Sequence, residues 1–366
     1  MYNVTLQLLK DCNLRCKYCF VEHSSDAMDF ETARKAIDFE IERALKLNQK
    51  EINVTFFGGE PLLKFDMIKE LTHYTNKNTN LKITFDLVTN GLLFDKEIST
   101  FFIENNFTVG ISLDGTPGNH DLNRVDVHGN PTYNKIMKNI DNIRHYEEKT
   151  GKIMQVSMVV AKNTYNNLYE NLLSIINLGF RKIVIGLEEY GYWNEEEWTI
   201  DDFSKIKSEL KKSIELYLDK SEEGNPFAWN FIDGEVKKLI HKRKNYFCGC
   251  GIINNFITTD GSIYPCTFCT KEAAKIGHIQ EGVYENAIEK FKYYDRKLSD
   301  KCENCNIKDY CSSCDCLMKN LENNDEFYKV SFPSCELAKI RHSLNKELLQ
   351  NSRWHALVKK YERVIG

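Results

Sequence analysis

Near the start of the chain, "KDCNLRCKYCF" (10–20) gathers Cys12, Cys16 and Cys19 in the spacing C-x3-C-x2-C. A closed zinc site takes four protein ligands, usually in paired C-x2-C units. Ferredoxin-type runs supply four thiolates per cluster. Three thiolates at this spacing suit a [4Fe–4S] cluster with one iron left open to a small molecule, a catalytic rather than a structural arrangement. The plainer alternative is a zinc loop that borrows a distant fourth ligand. A second set follows at a distance: of 13 cysteines, none lies between 20 and 247, and ten fall between 248 and 335.

The bulk properties narrow the setting. The chain has 366 residues, 42% hydrophobic and 28% charged, with a formal net charge of −4. That balance is ordinary for a folded protein and gives no electrostatic case for nucleic acid or an anionic membrane. "MYNVTLQLLKDCN" reads as a first strand rather than a signal peptide, and no run of 18 apolar residues exists to span a membrane. Without an export signal the thiols are expected in a reducing cytoplasm, where clustered cysteines mean metal or redox chemistry rather than disulfides.

The elements that must position the first loop alternate regularly. Strand-like runs at 3–9, 51–57, 81–89, 107–113, 152–160 and 181–189 are separated by helical segments near 30–47, 64–77, 95–105, 133–149 and 165–178. Six βα units imply a parallel α/β sheet, curved or partly closed as a (β/α)6 barrel, with ligands at the C-terminal ends of the strands. The cysteine loop follows strand one and so belongs at that end. "FFGGEPLL" (56–63) follows strand two. There, Gly58 and Gly59 allow close backbone approach to a ligand, and Glu60 can accept from an ammonium group. A strand-to-helix turn is the alternative reading.

These motifs resemble the radical S-adenosylmethionine (AdoMet) family: C-x3-C-x-aromatic-C, with Tyr18 as the aromatic, and a glycine motif one βα unit later. The resemblance implies that AdoMet chelates the open iron and is cleaved to a 5′-deoxyadenosyl radical that abstracts a substrate hydrogen. It implies AdoMet contacts from Gly58, Gly59 and Glu60. It also implies ribose or carboxylate contacts from Ser112 and Asp114 in "ISLDG" and from Arg124 in "HDLNR". Turn and capping residues are the alternative for these last three.

The C-terminal set, "CGCGIINNFITTDGSIYPCTFC" (248–269), "CENCNIKDYCSSCDC" (302–316) and Cys335, is similar to the SPASM domain, which implies two auxiliary [4Fe–4S] clusters. By that resemblance Cys302, Cys305, Cys311 and Cys335 hold the distal cluster. Cys248, Cys250, Cys266 and one of Cys314 or Cys316 hold the proximal one, and Cys269 is spare. Two zinc knuckles, 302/305 and 311/314, are the alternative. The expected organisation is a radical AdoMet core over 1–195, a helical bridge over 196–247, a SPASM region over 248–336 and a final helix over 337–366.

SPASM proteins mostly modify peptide side chains, so the implied partners are a polypeptide substrate and an electron donor such as flavodoxin or ferredoxin. The reading preferred from the sequence is a maturase forming thioether or carbon–carbon crosslinks in a ribosomally made peptide. The alternative is an anaerobic sulfatase-maturing enzyme, oxidising Cys or Ser to formylglycine. Size and the early cysteine loop, which leaves no room for a leader-recognition domain, suit the alternative. Against it, such enzymes carry an acid directly after the cysteine of "YPC", whereas "IYPCTF" has Thr267, and a neutral hydroxyl is no general base near pH 7. Asp233, Glu188, Glu189 and Tyr190 are candidate replacements, with a helix cap and ordinary barrel-mouth residues as their plainer roles. A non-catalytic metal or electron-transfer scaffold is the third reading.

Overall fold

The computed structural model describes residues 1–189, 197–242, 248–292 and 298–357. Six parallel strands form its centre: β1 (Tyr2–Leu9), β2 (Glu51–Gly58), β3 (Lys82–Thr89), β4 (Thr108–Ser112), β5 (Gln155–Val160) and β6 (Lys182–Leu187). They lie side by side in chain order, and β7 (Ala228–Trp229) adds a short parallel strand beyond β6. The period-2 pattern gives the sheet two faces. Tyr2, Val4, Leu6 and Leu8 of β1 are buried in the main core. On the same side Phe56, Phe85 and Phe107 stack in a ladder against Phe102 of the helix Lys96–Glu104. The other face is polar: Asn53 donates to Asp86 at 3.1 Å and accepts from Thr84 at 2.7 Å.

The sheet continues past the expected domain boundary. On the free side of β1, β8 (Asn254–Ile257) pairs with it in parallel, and β9 (Ser262–Tyr264), β10 (Gly277–His278) and β11 (Gly282–Val283) extend the order antiparallel. A buried polar cluster fastens this join. Asn255 donates to the Tyr2 hydroxyl at 2.7 Å and to Glu40 at 3.1 Å, and Tyr2 itself donates to Glu40. The first half of the stretch 248–336 is this strand extension.

Two helices depart from their expected bounds. The segment at 133–149 is two helices, Tyr133–Met137 and Ile140–Thr150. The last long helix runs Phe332–Leu349, starting before residue 337, because Ser331 caps it and Pro333 suits its first turn. Cys335 therefore sits on a helical turn. This helix packs on Ile200–Glu222 and Asp233–Ile240, with His342 Nδ1 3.3 Å from Glu235 and Asn345 donating to the Phe231 carbonyl at 3.1 Å.

Candidate active site

After β1 the chain folds over the C-terminal end of the sheet, and backbone hydrogen bonds pin the cysteine loop on both sides. Lys10 N donates to Asp26 O at 2.9 Å, Arg15 N to Val125 O at 2.8 Å and Lys17 N to Asn123 O at 3.0 Å. Cys12 is buried, Cys16 and Cys19 are half-buried, and none is in a disulfide. Burial pushes the Cys12 thiol up to about 12, and it pushes Cys16 up to about 11 against the opposing charge of Arg124. Donors are aimed at the sulfurs: Leu14 N reaches Cys12 Sγ at 3.3 Å, Asn90 Nδ2 reaches it at 3.8 Å, and Arg124 Nη1 reaches Cys16 Sγ at 3.9 Å. A soft three-thiol set carrying such donors fits an iron–sulfur cluster, whose irons relieve the cost of holding thiolates in a buried place.

Gly58 and Gly59 let strand end and cysteine loop touch. A Cβ on Gly59 would stand 2.1 Å from the Asp11 carbonyl oxygen, and one on Gly58 would stand 2.3 Å from that of Leu9. The amides of Gly59 and Glu60 donate to those same two residues, Leu9 and Asp11, each at 3.1 Å. The Glu60 carboxylate accepts from Leu62 N at 3.0 Å, Thr89 Oγ1 at 2.8 Å and Asn90 N at 2.7 Å. Burial nevertheless raises its pKa to about 7. Glu60 thus ties the end of β2 to the end of β3, and Asn90, which sequence reasoning left without a role, carries the link on to Cys12 and Asn13. The "TNG" directly after strand three was the signal for it.

Asp114 and Arg124 meet each other. Arg124 Nε lies 3.0 Å and Nη2 3.2 Å from the two Asp114 oxygens, with both side chains buried. Tyr18 donates to Asp114, and its ring lies under the guanidinium at 5.3 Å. Burial opposes the charge of Arg124, yet Asp114 and Tyr18 hold its pKa above the ordinary value. His120 supports the pair, accepting from the Asp114 amide at 3.3 Å. Ser112 is half-buried at the last position of β4.

The C-terminal thiols divide into two neighbourhoods. Cys248 and Cys250 share a hydrogen bond that holds Cys248 down to about 6 and pushes Cys250 up, and the charges of Cys266 and Cys316 act on Cys250. Cys266 and Cys316 are each raised by burial first and then by charges that include Cys248. Cys311 instead accepts a hydrogen bond from the Cys314 thiol, which holds it down to about 6, and its charge acts on Cys335. Lys339 feels both Cys335 and Cys305, and Cys305 N donates to Cys302 O at 3.1 Å. Cys269 lies beside Cys266 and hydrogen-bonds with Glu322.

The candidate bases have other partners. Asp233 accepts from Trp229 N at 2.6 Å and from Tyr217 Oη at 3.0 Å; it is the first residue of the helix Asp233–Ile240 and does not cap it, since Ile232 holds that position without a side-chain hydrogen bond. It lies level with the first residues of β6, where Ile183 pairs with Trp229, away from the C-terminal strand ends. Glu188 accepts from Lys162 N at 2.9 Å. Glu189 is engaged by Lys319, Asn323, Ser331 and Ser334, which joins the end of β6 to the C-terminal helices. Tyr190 lies outside the described residues. Thr267 lines a cavity of about 670 Å³ together with Gln7, Phe20, Phe57, Thr258 and Phe268. Phe20 follows Cys19 and Thr267 follows Cys266, so the cavity lies between the two cysteine regions.

The fold and this site define a radical AdoMet enzyme. Residues 6–187 match the model of the Radical SAM superfamily, and the chain belongs to that family. It is 29% identical over 322 residues to the cysteine-type anaerobic sulfatase-maturating enzyme of Clostridium novyi (strain NT), covering 83% of this chain and 84% of that one. Its fold is that of native anSMEcpe with bound AdoMet, with a TM-score of 0.78 at 23% identity over 96% of this chain and 99% of that one. Streptococcus suis SuiB bound to S-adenosylmethionine shares it more loosely, with a TM-score of 0.63 at 17% identity over 91% of this chain and 77% of that one. The protein is thus a radical AdoMet enzyme. Its cofactors are AdoMet and iron–sulfur clusters, and its cysteine-rich C-terminal region is SPASM-like. Among the described residues no helix is long and apolar enough to cross a membrane.

Proposed function

We propose that the protein oxidises a side chain within a polypeptide by the chemistry of sulfatase maturation, turning a cysteine or serine into formylglycine. This reverses the order of preference reached from sequence. One observation carries the reading: a cavity of about 670 Å³ runs from the residue after Cys19 to the residue after Cys266, room for a peptide segment between two cysteine regions. The similarity to a sulfatase-maturating enzyme along most of both chains supports it. When bound at Cys12, Cys16 and Cys19, cluster and AdoMet supply the radical that removes a hydrogen atom from the substrate carbon. Asn90 and Arg124 orient the loop sulfurs, while the Asp114–Arg124–Tyr18 group and Glu60 hold the loop's surroundings rigid. The C-terminal thiols, with Cys316 in the proximal set, would hold auxiliary clusters, which would supply one-electron redox chemistry beside the substrate. A flavodoxin or ferredoxin supplies the reducing electron.

Thr267 favours a second reading, crosslinking maturation of a ribosomally made peptide, because no carboxylate stands at that position to deprotonate a substrate thiol. Mass spectrometry decides between them. The anaerobically reconstituted, reduced enzyme is incubated with AdoMet and a Cys-x-Pro-x-Arg peptide. Conversion of cysteine to the aldehyde, with release of hydrogen sulfide, is expected. If 5′-deoxyadenosine accumulates while that peptide is unchanged, sulfatase maturation is rejected and the crosslinking reading takes its place.

A further inference from the structure

The polar face of the sheet carries one group that the site as described leaves unused. Gln7 stands on β1 directly beside Phe57 of β2, and Leu6 pairs with Ile257, so Thr258 follows on the other flank. All three residues line the 670 Å³ cavity. Gln7 is 6% exposed, and its Oε1 is buried without a hydrogen-bond partner. A buried amide oxygen without a partner is costly, and a hydrogen-bonding group of a ligand would complete it. The cavity lining is mixed, with Lys10, Glu22, Asp26, Asp260 and Glu322 beside a cluster of phenylalanines. Phe20 and Phe57 stack at 6.2 Å, Phe57 meets Phe256 edge-on at 5.7 Å, and Phe268 lies 6.4 Å from Phe20. The hydroxyl of Thr258 is already committed to Asp260 at 2.6 Å.

The geometry points to Gln7 as a substrate-binding residue whose carboxamide pairs with a peptide group of the polypeptide lying in this cavity. A carboxamide offers one donor side and one acceptor side, and rotation about its last bond exchanges them. A backbone amide of the substrate is its natural complement. Gln7 therefore reads the main chain near the residue to be oxidised, while the phenylalanines contact the flanking side chains. This inference rests on the polypeptide reading above.

The test uses the full-length reconstituted enzyme and a defined library of hexapeptides with cysteine or serine at the third position, scored by peptide-dependent 5′-deoxyadenosine formation. For the best peptide, Gln7→Met, which keeps the shape without the amide, is expected to raise the half-saturating concentration tenfold or more with less than a threefold change in maximal rate. Gln7→Asn is expected to recover part of that loss. N-methylation of the peptide bonds one at a time should reproduce the effect at a single position in the wild type and add nothing in Gln7→Met. If Gln7→Met and wild type saturate alike, the inference fails while the polypeptide reading stands. If no library peptide stimulates the wild type, both fail. A lowered thermal midpoint in Gln7→Met with unchanged saturation would make Gln7 a packing residue and overturn the inference.

Discussion

The pairing of Arg124 with Asp114 shows what burial does to a motif residue. Each side chain is within hydrogen-bond distance of the other and shielded from water, so removing one leaves the other charged and unmatched. Arg124→Met or Asp114→Asn alone is expected to cost about 3–5 kcal/mol in urea unfolding. The double substitution should cost less than the sum of the two, a coupling that a double-mutant cycle reads directly. His120 gives the pH dependence at this scale. Burial first, then Arg124, lowers its pKa to about 4 from the ordinary 6.5. The folded protein therefore keeps it neutral while the unfolded chain protonates it. Its contribution is complete above pH 6.5 and is lost as pH falls through about 4, on the order of 3 kcal/mol in all. Urea midpoints measured from pH 7 to 4 should fall less steeply for His120→Gln; parallel curves would contradict this. Neither effect was legible in "HDLNR". That segment announces a histidine and an arginine, but not that Asp114 lies against both.

At the scale of elements, the site depends on how closely the end of β2 approaches the cysteine loop. Gly59 has a backbone carbonyl 2.1 Å from where a Cβ would stand, and a backbone atom cannot swing aside as a side chain can. Gly59→Ala is expected to push the loop from the sheet at a cost of about 1–3 kcal/mol and to lower the iron retained at the first site after reconstitution. Iron and sulfide analysis beside a denaturant curve checks it, and full iron content at unchanged stability would exclude the close-approach role. The glycine pair was readable as a requirement for close approach because only glycine permits it. Which partner approaches was not readable, and the nearest neighbour proves to be the loop's own backbone. The helix at Phe332–Leu349 teaches the converse. Its start was written locally in Ser331, Phe332 and Pro333.

For the whole molecule, the shared sheet matters most. β1 takes its hydrogen bonds from β2 on one side and β8 on the other, with Asn3 N donating to Ile253 O at 2.7 Å. A chain cut after residue 247 would turn a central strand into an open edge and would strand Glu40 and Tyr2 without Asn255. That fragment is expected to self-associate on size-exclusion chromatography where the full chain does not; a monomeric, well-folded fragment would show the two regions to be independent. The likeness of fold over 96% of the chain to one solved enzyme agrees with a single built unit. The sequence by itself determined the chemistry at Cys12, Cys16 and Cys19, the order of the βα units and the cysteine-rich C-terminal region. Ligand spacing and strand periodicity act between residues a few positions apart, so a linear reading reaches them. The tertiary structure alone decided that Asp114 answers Arg124 and that Gln7 lines the cavity. Each of these depends on contacts between chain segments that only the folded sheet brings together, where burial and charge fix what a side chain does.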